Sequence, residues 1–259
     1  MNTDIRKACT KNRAEELGFD VWEHFAIPLF YDQLDIGDTS KASIIVGGRG
    51  CGKTMLLRYL SHQSMFSTKR EKIDPAAFKH LGLYWKVDTQ FANVLFGRSI
   101  EPDVWASAFS HFTALVIVED AIHCLESLAR CSAVNYSFEE LEALKLDSPA
   151  DFDSEFSSDA HEIARQIQTR IRRFQTWANN PRTQKAPIFL PGMQFIAAVL
   201  KEIVEKVDIL RDSKFFVYID EYENLREYQQ RNINTCMKHS EHPVIFNIAT
   251  KRNGMRTNA

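Results

Sequence analysis

The run Gly47-Gly48-Arg49-Gly50-Cys51-Gly52-Lys53-Thr54 fits the pattern G-x-x-x-x-G-K-[ST] at every fixed position. The chemistry this spacing suits is phosphate binding. Glycines let a loop take positive φ and lay its backbone N–H groups on phosphate oxygens. A helix starting at the loop adds the partial positive charge of its N-terminus. Lys53 supplies a point charge for β- and γ-phosphates, and the Thr54 hydroxyl is a ligand type for Mg²⁺. The candidate nucleotide-contacting set is therefore Gly47, Gly48, Arg49, Gly50, Cys51, Gly52, Lys53, Thr54 and Met55. A glycine-rich turn that carries Lys-Thr by coincidence is the competing reading, and a second motif weighs against it. Cys51 sits at a variable position of the loop. The helix N-terminus would favour its thiolate, but filler is the simpler account.

A Mg²⁺-dependent triphosphate site also needs an acid at the end of a neighbouring strand, and often a following Glu that takes a proton from the attacking water. Two segments compete. Ala114 to Asp120 ends in Glu119-Asp120, but lies inside a helix-periodic stretch with no turn signal on either side. Phe215-Phe216-Val217-Tyr218-Ile219-Asp220-Glu221 is flanked by polar breakers, with its acids in the order Asp then Glu. Asp220 is thus expected at Mg²⁺ and Glu221 as general base. Acids favouring a helix N-terminus would explain Asp220-Glu221 alone, but not the five apolar residues before them. Thr250-Lys251-Arg252-Asn253 approaches a guanine-reading T-K-x-D, yet its last residue is Asn, so no carboxylate is there to accept from guanine. ATP is the expected nucleotide. A small-molecule kinase would need an Arg-rich lid. Arg165, Arg170, Arg172 and Arg173 fall on one helix, where a solvated basic face is the preferred reading.

The elements that must position these residues are partly legible. Lys41–Val46 reads as a short buried strand ahead of the loop, and Lys53 to Gln63 as a helix with Met55, Leu56, Tyr59 and Leu60 inward. Leu83–Asp88 reads as a strand. Pro102 opens a long helix to about Cys131 with Trp105, Phe109, Phe112, Val116, Ile122, Leu125 and Leu128 as its stripe. Ser137 and Glu140 form a capping-box pattern. Residues 147–159 read as an exposed connector. Helices are expected over Ala160–Trp177, Gly192–Val207 and Asn224–Lys238, and a last strand over Val244–Thr250. Asn12–Phe25 reads as a short helix, followed by an apolar plug at Leu29-Phe30-Tyr31.

Composition sets outer bounds. In 259 residues, 44% hydrophobic and 25% charged, there is material for one large globular domain or two small ones, not for a disordered tail. A net charge of −2 gives no global basic field, so nucleic acid is left open but not supported. Five cysteines without a C-x-x-C pair suggest free thiols in a reducing compartment, hence a cytoplasmic location. No apolar run reaches the length of a membrane span.

The loop followed by Met55-Leu56-Leu57-Arg58-Tyr59-Leu60, the run Ile219-Asp220-Glu221-Tyr222-Glu223-Asn224-Leu225, and the stretch Ile233-Asn234-Thr235 to Lys238-His239-Ser240 with the strand to Thr250 resemble AAA+-type P-loop ATPases. The resemblance is to the origin-recognition, initiator-like branch in its bacterial form, over roughly residues 12–256. It implies an α/β three-layer P-loop NTPase sandwich with a mainly parallel sheet, ATP and Mg²⁺ as ligands, and adenine flanked by the segment Phe25–Tyr31. It further implies a γ-phosphate sensor at the tip of the last strand, Thr250 in preference to Asn247. An Arg near that edge, Arg256, would reach a neighbour's nucleotide. The chain departs from the pattern between Lys53 and Asp220. Residues 99–212 read as a large helical insertion between core segments 1–98 and 213–259, and the C-terminal lid of the family is not expected in the latter. Three functions compete: an ATP-hydrolysing motor or switch that assembles through its nucleotide site, a nucleotide-binding regulatory module with little turnover that meets a partner protein through the insertion, and a DNA-binding initiator-like protein, against which the near-neutral charge argues.

Overall fold

The structure is a computed structural model that describes Leu17, Gly18, residues 20–28, Tyr31 and residues 41–257. Four parallel strands, β1 (Ile44–Val46), β2 (His80–Lys86), β3 (Lys214–Asp220) and β4 (Val244–Thr250), form one sheet in the order β1-β4-β3-β2. The described α-helices are α1 (Lys53–Leu60), α2 (His62–Met65), α3 (Thr89–Val94), α4 (Pro102–Arg130), α5 (Phe138–Ala143), α6 (Ser148–Phe152), α7 (Ala160–Asn179), α8 (Gly192–Lys206) and α9 (Glu227–Lys238), with 3₁₀ turns at Pro75–Lys79, Asp208–Leu210 and Tyr222–Asn224. The result is the expected α/β sandwich with helices on both faces of a parallel sheet and a helical block between β2 and β3.

Side-chain alternation divides the sheet. Phe215, Val217 and Ile219 of β3 join Leu81, Leu83, Val244, Phe246 and Ile248 in the larger core, shared with α4, α7 and α8. Phe216 and Tyr218 face the other way, with Tyr84, Ile245, Ala249 and Leu57 of α1. With a period of two along a strand, Asp220 falls on the α1 face. All four strands run the same way, so their C-terminal ends, the usual place for a ligand in an open parallel sheet, share one edge. There Gly47 N–H donates to Thr250 C=O at 3.2 Å, and Val87 N–H to Asp220 C=O at 3.2 Å.

Several boundaries differ from those expected. The first helix stops at Leu60, because Ser61 turns extended (φ −78°, ψ 159°) and pairs with Gly82 of β2. Inside α1, Leu57 and Arg58 are buried, whereas Met55, Tyr59 and Leu60 are only partly covered. β2 starts three residues early, and Asp88 caps α3 by accepting from Gln90 and Phe91 N–H groups. The segment before α9 is a 3₁₀ turn, Tyr222–Asn224, and α9 begins at Glu227. Residues 147–159 are not an exposed connector. They carry α6, bury Phe156 against Phe195, and hold Arg170 through Asp153 at 2.6 Å. Arg170 therefore belongs to the scaffold, while Arg172 and Arg173 are exposed. The Ala114–Asp120 segment is helical, within α4, and the capping box of Ser137 and Glu140 forms. Of the helix expected over Asn12–Phe25, residues 12–16 and 19 fall outside the described residues, as do Leu29 and Phe30; residues 20–25 form no helix, and Trp22–His24 is a turn.

Gly82 is where the β2–Ser61 pairing depends on a missing side chain. A Cβ there would sit 2.0 Å from the Leu60 carbonyl oxygen, with Ser61 backbone also inside 3 Å. Backbone on both sides leaves no flexible group to yield. Gly82→Ala should therefore lower unfolding stability by about 1–3 kcal/mol, read as a shifted urea midpoint. A midpoint equal to the parent's would mean that the pairing can move aside at no cost.

Candidate nucleotide site

The loop between β1 and α1 takes left-handed backbone at Gly50 (φ 79°) and Gly52 (φ 90°), which residues with a Cβ adopt only with strain. An added Cβ at Gly48, Gly50 or Gly52 would meet nothing within 4 Å, so the space in front of the loop is open. At Gly47 the requirement is close approach: a Cβ would lie 2.4 Å from Cys51 Sγ. The Lys53 ammonium donates to the carbonyls of Gly47 (2.8 Å) and Gly48 (2.9 Å) and lies 3.8 Å from Cys51 Sγ. Arg49 and Cys51 are exposed, and Met55 is partly covered on the first turn of α1. An open loop with glycine-permitted N–H groups and a lysine across it fits a phosphate chain.

Thr54, on the first turn of α1, donates its hydroxyl to Asp220 Oδ2 at 2.7 Å. This bond joins the loop to the end of β3, across residues far apart in sequence. Asp220 is buried, and its Oδ1 accepts the N–H of Glu221 at 2.9 Å. A hydroxyl and a carboxylate are the hard oxygen donors that Mg²⁺ takes alongside its waters, so these residues fit the cation.

Glu221 stands at φ 56°, ψ 36°, a left-handed conformation that costs a residue with a Cβ on the order of 1 kcal/mol or more and that gathers at functional positions. Its carboxylate is held from two sides, by Lys86 Nζ at 3.4 Å and Asn224 Nδ2 at 2.8 Å. Register explains the first contact, since Lys86 is the β2 partner of Asp220.

The two sensor candidates differ in employment. Asn247 is buried, and its Oδ1 accepts from Ser43 N–H at 2.9 Å, tying β4 to the chain entering β1. Thr250 is buried with its Oγ1 unpaired, beneath Gly254, whose Cβ, if added, would lie 2.3 Å from that oxygen. The β3–β4 register runs to Ile219↔Ile248, so Thr250 lies two residues past the last pair, at the tip of β4 on the same strand-end edge as Asp220. The segment after β4 folds back: Lys251 pairs with Glu223 at 3.0 Å, and the N–H of Arg256 donates to Gln230 Oε1 at 2.9 Å, leaving the Arg256 side chain exposed. Burial raises the Glu223 carboxyl, but its own N–H and Lys251 outweigh that and hold it below the ordinary carboxylate range.

On the outer side of α1, Phe25 stacks on Tyr59 with ring centroids 4.2 Å apart, and Tyr31 meets the same ring edge-on at 5.9 Å. Phe25 and Tyr31, the two ends of the segment expected to flank adenine, thus pack on the helix that follows the loop. The strand-end edge also holds groups that motif reading missed: Tyr84, Lys86 and Asn224. The signal for the first two was β2's alternation, which puts Tyr84 and Lys86 on one face, but the pairing of β2 with β3 was not legible.

The helical block carries a cleft of about 660 Å³ beside α7, lined by Arg170, Arg172, Arg173, Lys185, His111 and Ile188, among others. Burial, and then the charge of Arg170, push the His111 imidazole down to about 4. Its Nδ1 is thus free to accept the Leu190 N–H at 3.1 Å. No described helix is long and apolar enough to cross a membrane.

A model of the ORC-CDC6-like family matches residues 8–259. No curated protein and no solved structure matches the chain. The match takes in the loop at Gly47–Thr54, the acidic end of β3 and the helical block between them, so the chain belongs to the ORC-CDC6-like family, of the AAA+ ATP-binding type.

Proposed function

We propose that the chain binds ATP with Mg²⁺ at the common strand-end edge and hydrolyses it, working as a switch or motor. The observation that carries this reading is the 2.7 Å bond from Thr54 to Asp220, which brings the phosphate loop and the acid of β3 to one point. When bound, Mg²⁺ would neutralise phosphate charge between these two residues. Lys53 leaves its two loop carbonyls for phosphate oxygens. Glu221, one residue beyond Asp220, accepts the proton of the attacking water. Thr250, at the tip of β4, offers its unpaired hydroxyl as the γ-phosphate sensor, whereas Asn247 already serves the fold.

A second reading, nucleotide binding with little turnover, is favoured by one feature. Lys86 and Asn224 engage both oxygens of Glu221, so the base is occupied until those contacts open. In either case the helical block over 99–212 is the surface offered to a partner protein or a second copy. Val104, Phe138 and Ile188 are exposed on it. The charge of −2 does not support nucleic acid as the main partner.

Turnover and particle size, each measured with and without ATP, test the assembly reading. Arg256 is proposed to reach a neighbour's nucleotide, held out by a backbone that Gln230 pins. Arg256→Ala chains should bind ATP without hydrolysing it. Adding Lys53→Ala chains, which keep Arg256, should restore hydrolysis in trans. Full activity of Arg256→Ala alone, or no restoration on mixing, would remove Arg256 from the mechanism.

A further inference from the structure

Tyr84 belongs to no motif, yet it touches the acid on which the cation site turns. Its ring is buried in the smaller core with Leu57, Phe216 and Tyr218. Its hydroxyl donates to Asp220 Oδ2 at 3.0 Å, the same oxygen that accepts from Thr54. The residue is fixed at its other end as well. Tyr84 N–H donates to Asp120 Oδ2 at 2.9 Å, and the other oxygen of Asp120 lies 3.3 Å from His62 Nε2. A line of hydrogen bonds therefore runs from α4, through β2, to the carboxylate at the end of β3. A phenol keeps its proton at neutral pH, so Tyr84 is the donor in this bond.

A carboxylate offers about four lone-pair sites. On Asp220, among the described residues, three are taken: Thr54 and Tyr84 on Oδ2, and Glu221 N–H on Oδ1. The fourth, on Oδ1, is left for the water shell of a cation. Thr54 can keep its proton on Asp220 while its own oxygen turns a lone pair to the metal. The terminal torsion of an Asp side chain is soft, so donors on both oxygens are what set its plane. One of these, the Glu221 N–H, comes from the neighbouring residue, which is itself strained. Tyr84 is the donor that comes from a separate strand.

We propose that Tyr84 is a positioning residue for Mg²⁺: it holds the Asp220 carboxylate in the plane that leaves one Oδ1 lone pair facing the cation, without touching cation or nucleotide. The proposal rests on reading Thr54 and Asp220 as the Mg²⁺ residues. It does not require turnover.

The test is the affinity of a fluorescent ATP analogue, mant-ATP, in excess Mg²⁺ and in EDTA, for the parent chain, Tyr84→Phe, Asp220→Asn and the double variant. The parent should bind more tightly with Mg²⁺. In Tyr84→Phe that Mg²⁺-dependent gain should shrink about tenfold, the lower end of what loss of a supporting partner around a metal costs, while affinity in EDTA stays within about twofold. On the Asp220→Asn background, Tyr84→Phe should add nothing, because it acts through that carboxylate. An undiminished gain in Tyr84→Phe overturns the proposal. So does an equal loss in Mg²⁺ and EDTA, which would mark a packing role, and so does additivity in the double variant. A parent chain with no Mg²⁺-dependent gain would instead refute the assignment of Thr54 and Asp220 beneath it.

Discussion

Glu221→Gln is expected to bind ATP and Mg²⁺ as the parent does and to hydrolyse ATP at least about a hundredfold more slowly, the usual loss when a general base is removed. Gln keeps the length of Glu and can still meet Asn224 through its carbonyl oxygen, so the left-handed turn at residue 221 is preserved. It cannot take a proton from water. It also loses the ion pair with Lys86, but at 3.4 Å on a side chain 38% exposed that pair contributes little to stability. Single-turnover hydrolysis and calorimetric binding on one preparation separate the two effects. A variant that hydrolyses at the parent rate would move the base elsewhere. Glu119 and Asp120 would not be the next choice, because they lie in α4 and Asp120 is committed to Tyr84 N–H.

Lys53→Ala is expected to abolish measurable ATP binding while leaving the chain folded. Each charge-assisted hydrogen bond that Lys53 would make to phosphate is worth roughly 1.5–3 kcal/mol, so losing two of them costs about a hundredfold or more in affinity. On the folded side, its bonds in the loop are to the Gly47 and Gly48 carbonyls, which sit beside open space and can be met by water. Calorimetry and a thermal melt check the pair of expectations. Affinity within about twofold of the parent would mean that the loop at Gly47–Thr54 does not hold the phosphates.

What was readable in the chain, and what was not, divides by the range of the forces involved. β4 falls at Val244–Thr250 as expected, because a β-branched and aromatic run between a proline and a basic turn is a local signal. The rejection of Glu119-Asp120 as a strand end was also local: the stripe from Trp105 to Leu128 keeps helical spacing, and α4 runs through it. The break at Ser61 was not readable. It answers to a glycine on another strand that admits the Leu60 carbonyl. Residues 147–159 misled for the same reason, since polar composition hid two distant anchors, Phe195 and Arg170. At the site, the loop and the acids of β3 declare themselves by spacing. Tyr84, Lys86 and Asn224 do not, because their places beside Asp220 and Glu221 follow from β2–β3 register and from the turn after β3.

The claim on which the rest depends is that the phosphates of ATP lie on the Gly47–Thr54 loop, with Mg²⁺ between Thr54 and Asp220. A crystal structure of the chain grown with a non-hydrolysable ATP analogue and Mg²⁺ measures this directly. Phosphate density is expected against the backbone N–H groups from Gly50 to Thr54, with Lys53 Nζ moved off the Gly47 and Gly48 carbonyls and a cation within reach of Thr54 Oγ1 and the Asp220 water shell. Nucleotide density in the basic cleft beside α7, with the loop empty and Lys53 still on its two carbonyls, would contradict it.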